Sequence, residues 1–150
     1  MPLAGHGLRP TTLRRRASRP QLKRDPLGSS RVTDPREFLP AEIPNAIKAL
    51  ARPLTGPDQG LLAWSHLGAR EVLRSLVRSR VGITRGEVYR GGVQPFPIDD
   101  WECHRVGAEQ PTTFAERSRA VAATYLAKYP DDTTGPALFV FDFETQNAAA

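Results

Sequence analysis

Between Ala41 and Ala51 the apolar residues Ile43, Ala46, Ile47 and Leu50 recur at helical spacing, and Pro53 stops the pattern, so a short amphipathic helix is expected there. Thr55-Gly56-Pro57-Asp58 is turn chemistry. The spacing then predicts a longer helix over about Gln59 to Arg80. Its buried stripe would be Leu62, Ala69, Leu73, Leu76 and Val77, with Trp64 and Leu67 on an adjoining edge and Gly82 just past its end. Glu87-Val88-Tyr89-Arg90 reads as a short strand broken by Gly91-Gly92. Gln94 to Asp100 holds two prolines and reads as loop, and Trp101 to Val106 as a further strand or an irregular packing segment. Pro111-Thr112-Thr113 leads into a third helix, about Glu116 to Tyr129, whose apolar face is Val121, Ala122, Tyr125, Leu126 and Tyr129. Ala137 to Phe143 is the clearest strand of all, aromatic, β-branched and bounded by turn residues. Helices come first and strands gather later. The expected class is α+β: N-terminal helices followed by a small, mainly antiparallel sheet.

The first thirty residues lack any such pattern. Met1 to Ser30 shows no apolar periodicity, and Pro2, Pro10, Pro20 and Pro26 interrupt any helix. The segment has too little apolar surface to offset its ordering entropy, so a flexible, Pro-rich arm is expected over residues 1–33 ahead of a single domain over 34–150. The whole chain, at 150 residues, is long enough to bury one core.

Charge sharpens that division. Residues 1–31 carry Arg9, Arg14, Arg15, Arg16, Arg19, Lys23, Arg24 and Arg31 against Asp25 alone, a net +7, whereas the remaining 13 basic and 15 acidic residues sum to −2. Arg14, Arg15, Arg16, Arg19, Lys23 and Arg24 are the candidate contacts of the arm. Such a segment is drawn to polyanions, nucleic acid above all, through phosphate contacts and counterion release. A solvated tail is the plain alternative. The Arg-rich, acid-poor composition also fits an organelle transit peptide, although the prolines spoil its amphipathic helix, and no apolar core of a secretory signal follows the basic residues. Arg70, Arg74 and Arg78, four apart, form a basic ridge on the expected second helix, either a solvated face or a phosphate-binding one.

Several chemistries find no footing. The longest run without Asp, Glu, Lys or Arg is the eleven residues Gln59 to Ala69, against roughly twenty for a membrane-spanning helix. Cys103 is the sole cysteine and the histidines stand at 6, 66 and 104, so neither a disulfide framework nor zinc-ligand spacing is present and no metal is expected. There is no Gly-x-Gly-x-x-Gly after a strand and no phosphate-binding loop at Lys48 or Lys128. Cys103-His104 would point to opposite faces of a strand. Asp99-Asp100 and Asp131-Asp132, in Pro- and Gly-rich loops, read as solvated caps and turns.

One ordered set remains. A strand carrying Val88-Tyr89-Arg90-Gly91 is followed by Pro111-Thr112-Thr113-Phe114-Ala115-Glu116-Arg117-Ser118, by a helix with Val121-Ala122-Ala123-Thr124-Tyr125-Leu126, and by the apolar strand 137–143. It resembles the NAD-binding half of mono-ADP-ribosyltransferases of the arginine–serine–glutamate class, which includes exotoxin-like domains and domains carried by phage head proteins. Leu54-Thr55-Gly56 is similar to an upstream turn of that family. The resemblance implies NAD as cofactor, with Tyr89, Arg90 and Gly91 at the binding strand, Arg90 clamping the pyrophosphate, and Thr113 in place of the active-site serine. A guanidinium suits that role because it meets phosphate oxygens in bidentate fashion. The residues also have plainer readings: Thr113 and Glu116 match a capping box, and Arg90 could pair with an acid. The family's catalytic glutamate has no counterpart, since Glu144 comes too early to match it.

Two expectations follow. One is an ADP-ribosyltransferase-like, NAD-binding domain, truncated or inactive for want of the glutamate. The other is a small structural subunit of a phage particle or ribonucleoprotein assembly, within the cytoplasm or the particle. Its basic arm would contact nucleic acid or neighbouring chains.

Overall fold

In a computed structural model, residues 34–56 and 60–144 are described. The expected arm, with Arg14, Arg15, Arg16, Arg19, Lys23 and Arg24, lies outside the described residues. Among those described, the chain forms three α-helices, α1 (Asn45–Lys48), α2 (His66–Ser75) and α3 (Pro111–Lys128). It also forms five strands, β1 (Arg52–Pro53), β2 (Leu62–Ser65), β3 (Ile83–Arg90), β4 (Phe96–Glu102) and β5 (Ala137–Phe143). The strands make one sheet in the order β1-β2-β5-β3-β4, every pair antiparallel, so the fold is α+β.

β5 holds the span its sequence predicts and sits at the centre, between β2 and β3. Alternation along it divides the two faces. Ala137, Phe139 and Phe141 join Trp64, Val88 and Trp101 beneath the helices, packed against Ala69, Val72, Leu76, Ala122 and Leu126. Leu138 and Val140 face the other way, with Leu54, Leu61, Ala63 and Tyr89. One glycine makes the first layer fit: a Cβ on Gly86 would come within 2.0 Å of the Trp101 ring, which lies across β3 and stacks on Tyr125 at 4.3 Å.

Several element boundaries differ from the expectation, among them β3, which begins at Ile83 and not at Glu87. The helix expected over 59–80 is a strand followed by a shorter helix. Leu62, Ala63 and Trp64 pair with β1 and β5, and the Ser65 hydroxyl accepts the Gly68 amide at 3.1 Å to start α2. α2 ends at Ser75, and Arg78 takes φ +66° in the following turn, so Val77, expected in the buried stripe, is exposed. The helix expected over 41–51 is helical only at Asn45–Lys48, bracketed by turns. α3 begins at Pro111, earlier than expected, because proline is suited to a helix's first position. Thr113 therefore sits inside the first turn, exposed, and no Thr113–Glu116 capping box forms; Gln110 is the N-cap. Finally β4 covers the segment read as loop. It lies at the sheet edge, where Pro97 costs no ladder bond, and a bulge opposite Val88 and Tyr89 absorbs Ile98.

α3 runs alongside β3 in the same direction. Near its start the Ser118 hydroxyl accepts the Ile83 amide at 2.9 Å, and just past its end the Pro130 carbonyl accepts from Arg90 at 3.1 Å. This parallel placement decides which candidate residues can meet.

Candidate functional site

Tyr89, Arg90 and Gly91 close β3, and their side chains part company there. Arg90 points to the helix side. Its guanidinium is 11% exposed and donates to the carbonyls of Pro130 (3.1 Å) and Gly135 (3.3 Å), with Asp132 at 3.3 Å. Asp132 is held below the ordinary carboxylate range first by the Thr134 hydroxyl and amide, with Arg90 adding to the effect. The loop is fastened to the strand: the Gly91 amide donates to Pro136 at 2.6 Å. Gly135 (φ +133°) approaches so closely that a Cβ there would fall 2.3 Å from the Gly91 carbonyl oxygen. Tyr89 is buried on the opposite face, its hydroxyl donating to Glu87 at 3.1 Å.

Thr113 does not join them. It stands in the first turn of α3, while Arg90 meets the residue just beyond the last, a separation of about 25 Å along the helix axis at 1.5 Å per residue. Glu144 is also at the far end. Its amide donates to Gly82 at 2.7 Å and its carboxylate pairs with Arg105 at 2.9 Å. Leu54 and Thr55 do line a cleft with Pro95, which belongs to the loop after Arg90-Gly91.

The remaining singled-out residues serve as structural ties. Cys103 is buried beneath the Arg117 guanidinium (3.3 Å), whereas His104 is exposed beside Glu102. Asp99 and Asp100 are on β4, not in a loop. Burial alone would raise Asp99, but hydrogen bonds from the Tyr129 hydroxyl (2.5 Å) and the Lys128 ammonium (3.2 Å) outweigh it and hold the carboxyl below its usual range. Asp131 caps the Ala137 amide at 2.9 Å, so this pair does organise a turn. Sequence reasoning missed two arrangements for want of any local signal. One is Glu109, eight residues ahead of Arg117, whose carboxylate accepts from the Arg117 Nε and Nη2 at 2.9 and 2.8 Å and pushes the arginine further up. The other is the buried Glu87, flanked by Tyr89 and Arg85 across one sheet face.

The cations divide sharply between two parts of the domain. After Gly82 the described chain has six basic and ten acidic side chains. Of those cations, Arg85, Arg90, Arg105, Arg117 and Lys128 are ion-paired, and Arg119 donates to the Leu76 carbonyl. From Asn45 to Gly82 six basic residues stand against two acids. Among the described residues there, Arg74 alone is ion-paired, with Glu71 at 3.1 Å. Arg70, Arg74, Arg78 and Arg80 are all exposed on α2 and the turn after it, and Arg52 is exposed on β1.

No family model, curated protein or solved structure matches this chain.

Its own chemistry is what speaks for it. Among the described residues, no three His, Cys, Asp or Glu side chains gather as metal ligands, and no helix is long and apolar enough to cross a membrane. The groups on offer are an enclosed guanidinium at Arg90, a cleft beside Arg52, and exposed arginines, Arg70 and Arg74 on α2 and Arg78 and Arg80 after its end, so the ridge expected at 70, 74 and 78 is not one helix face.

Proposed function

We propose that the protein is a nucleic-acid-associated structural subunit that grips phosphate backbones with the exposed arginines of α2 and the turn after it and with its basic arm. A single observation carries this reading. Among the described residues, every cation after Gly82 except Arg119 is ion-paired and Arg119 is bonded to a backbone carbonyl, whereas Arg70, Arg78 and Arg80 are exposed without an ion partner, close in sequence to Arg74, whose one partner is Glu71. Exposed arginines without acids nearby gain little for the fold, but they release counterions when they meet phosphates. The seven net positive charges of residues 1–31 add to the same attraction. The full chain should retard a duplex oligonucleotide at low salt, and glutamine at Arg70, Arg74, Arg78 and Arg80 together should weaken it. Retardation that the four substitutions leave unchanged would assign binding to the arm alone and remove those arginines from the account.

A second reading keeps the likeness to ADP-ribosyltransferases, favoured by β3 ending in Tyr89-Arg90-Gly91 with Arg90 already facing an anionic partner. On that reading Asp132 occupies the place an NAD pyrophosphate would take, and the loop 130–136 must open to admit it. Titration of NAD into the full chain, with Arg90→Ala as control, tests it. Heat abolished by the substitution supports an NAD site, and no heat from the folded wild type removes it.

A further inference from the structure

The sheet face turned away from α2 and α3 carries a cleft of about 320 Å3 between the β1–β2 pair and the turn joining β3 to β4. Its apolar wall is Leu54, Pro95 and Leu138, and its polar side chains are Arg52, Thr55 and Ser65. All three can donate. Arg52 lies opposite Ala63 in the β1–β2 register, exposed and without an ion pair. Ser65 accepts the Gly68 amide, which leaves its hydroxyl hydrogen for an outside acceptor. Among the described residues, no acidic side chain lines the cleft. A concave, largely aliphatic site with one unpaired guanidinium at it is matched by a ligand that is anionic at one end and apolar at the other. The volume is at the small end for ligand sites, so it suits a compact molecule and not a dinucleotide. The cleft is also separate from the Arg90 guanidinium, which projects from the other face of the sheet.

We infer that this cleft binds a small amphipathic anion, a compact apolar or aromatic body bearing one carboxylate or one phosphate. Arg52 takes the charge, and the body lies on Leu54, Pro95 and Leu138. The inference stands apart from nucleic-acid binding by α2, since it uses none of those arginines.

Titration of the full chain, followed by ligand-observed NMR, tests it with four probes. Phenylacetate and phenyl phosphate distinguish the two head groups, benzyl alcohol supplies the body without charge, and inorganic phosphate supplies charge without the body. At least one of the two amphipathic anions should bind at least tenfold more tightly than benzyl alcohol and inorganic phosphate. Arg52→Gln should erase that advantage while leaving the melting temperature in place, because Arg52 is exposed and unpaired. Equal binding of neutral and charged probes, equal binding of inorganic phosphate, or no binding up to about 10 mM would each overturn the inference.

Discussion

Single atoms decide much of this molecule's integrity. Gly86 lets Trp101 lie across β3, and a methyl group there would have to displace an indole ring already stacked on Tyr125. Gly86→Ala should therefore cost about 1–3 kcal/mol, the usual range for overpacking, read as a lower urea midpoint. Ser118, fully buried, accepts the Ile83 amide and donates to Ala115, both at 2.9 Å. Ser118→Ala leaves that amide without a partner, for a loss of about 1–3 kcal/mol by the same measurement. Asp99 sets a pH dependence of known sign. Its carboxyl sits below the ordinary 3.8 through Tyr129 and Lys128. The stabilisation it gives is complete above that value and fades as pH falls through its lower folded value. Melting temperatures between pH 2 and 6 should drop less steeply toward acid in Asp99→Asn than in the wild type; parallel curves would show that Asp99 contributes nothing.

At the scale of elements, the sequence was legible wherever one period ran unbroken. Ala137 to Phe143 alternates cleanly and is β5, and Val121, Ala122, Tyr125 and Leu126 mark the buried side of α3. The run Leu61-Leu62-Ala63-Trp64 was not legible, because a short apolar stretch fits a buried strand as well as a helix, and only pairing with β1 and β5 settles it. Ser65 is where the period changes. Its hydroxyl supplies the first bond of α2, so Ser65→Ala should destabilise the domain by about 0.5–2 kcal/mol, measurable by thermal melting. β4 was hidden by its prolines, which an edge strand tolerates and a central one does not. The candidate site was legible in part. Tyr89-Arg90-Gly91 does end a strand, but no spacing in sequence could show that α3 runs alongside β3 and so sets Thr113 at the opposite end from Arg90. Nor could it show that the 130–136 loop folds back to occupy the guanidinium.

Across the whole molecule the distribution of charge matters more than its total. The net +5 conceals a +7 segment over residues 1–31, a basic stretch over 45–82 and an acidic remainder whose described cations are nearly all paired. Polyanion binding should therefore concentrate on α2 and the arm and weaken steeply with salt. The measurement that tests this most directly is the slope of log K against log salt concentration for a labelled duplex oligonucleotide. It would compare the full chain with a variant bearing Arg70→Gln, Arg74→Gln, Arg78→Gln and Arg80→Gln. Each phosphate contact contributes roughly 0.9 to that slope, so loss of the four arginines should flatten it by up to about 3.6. Identical slopes, or no binding by the unmodified chain even at low salt, would contradict the account.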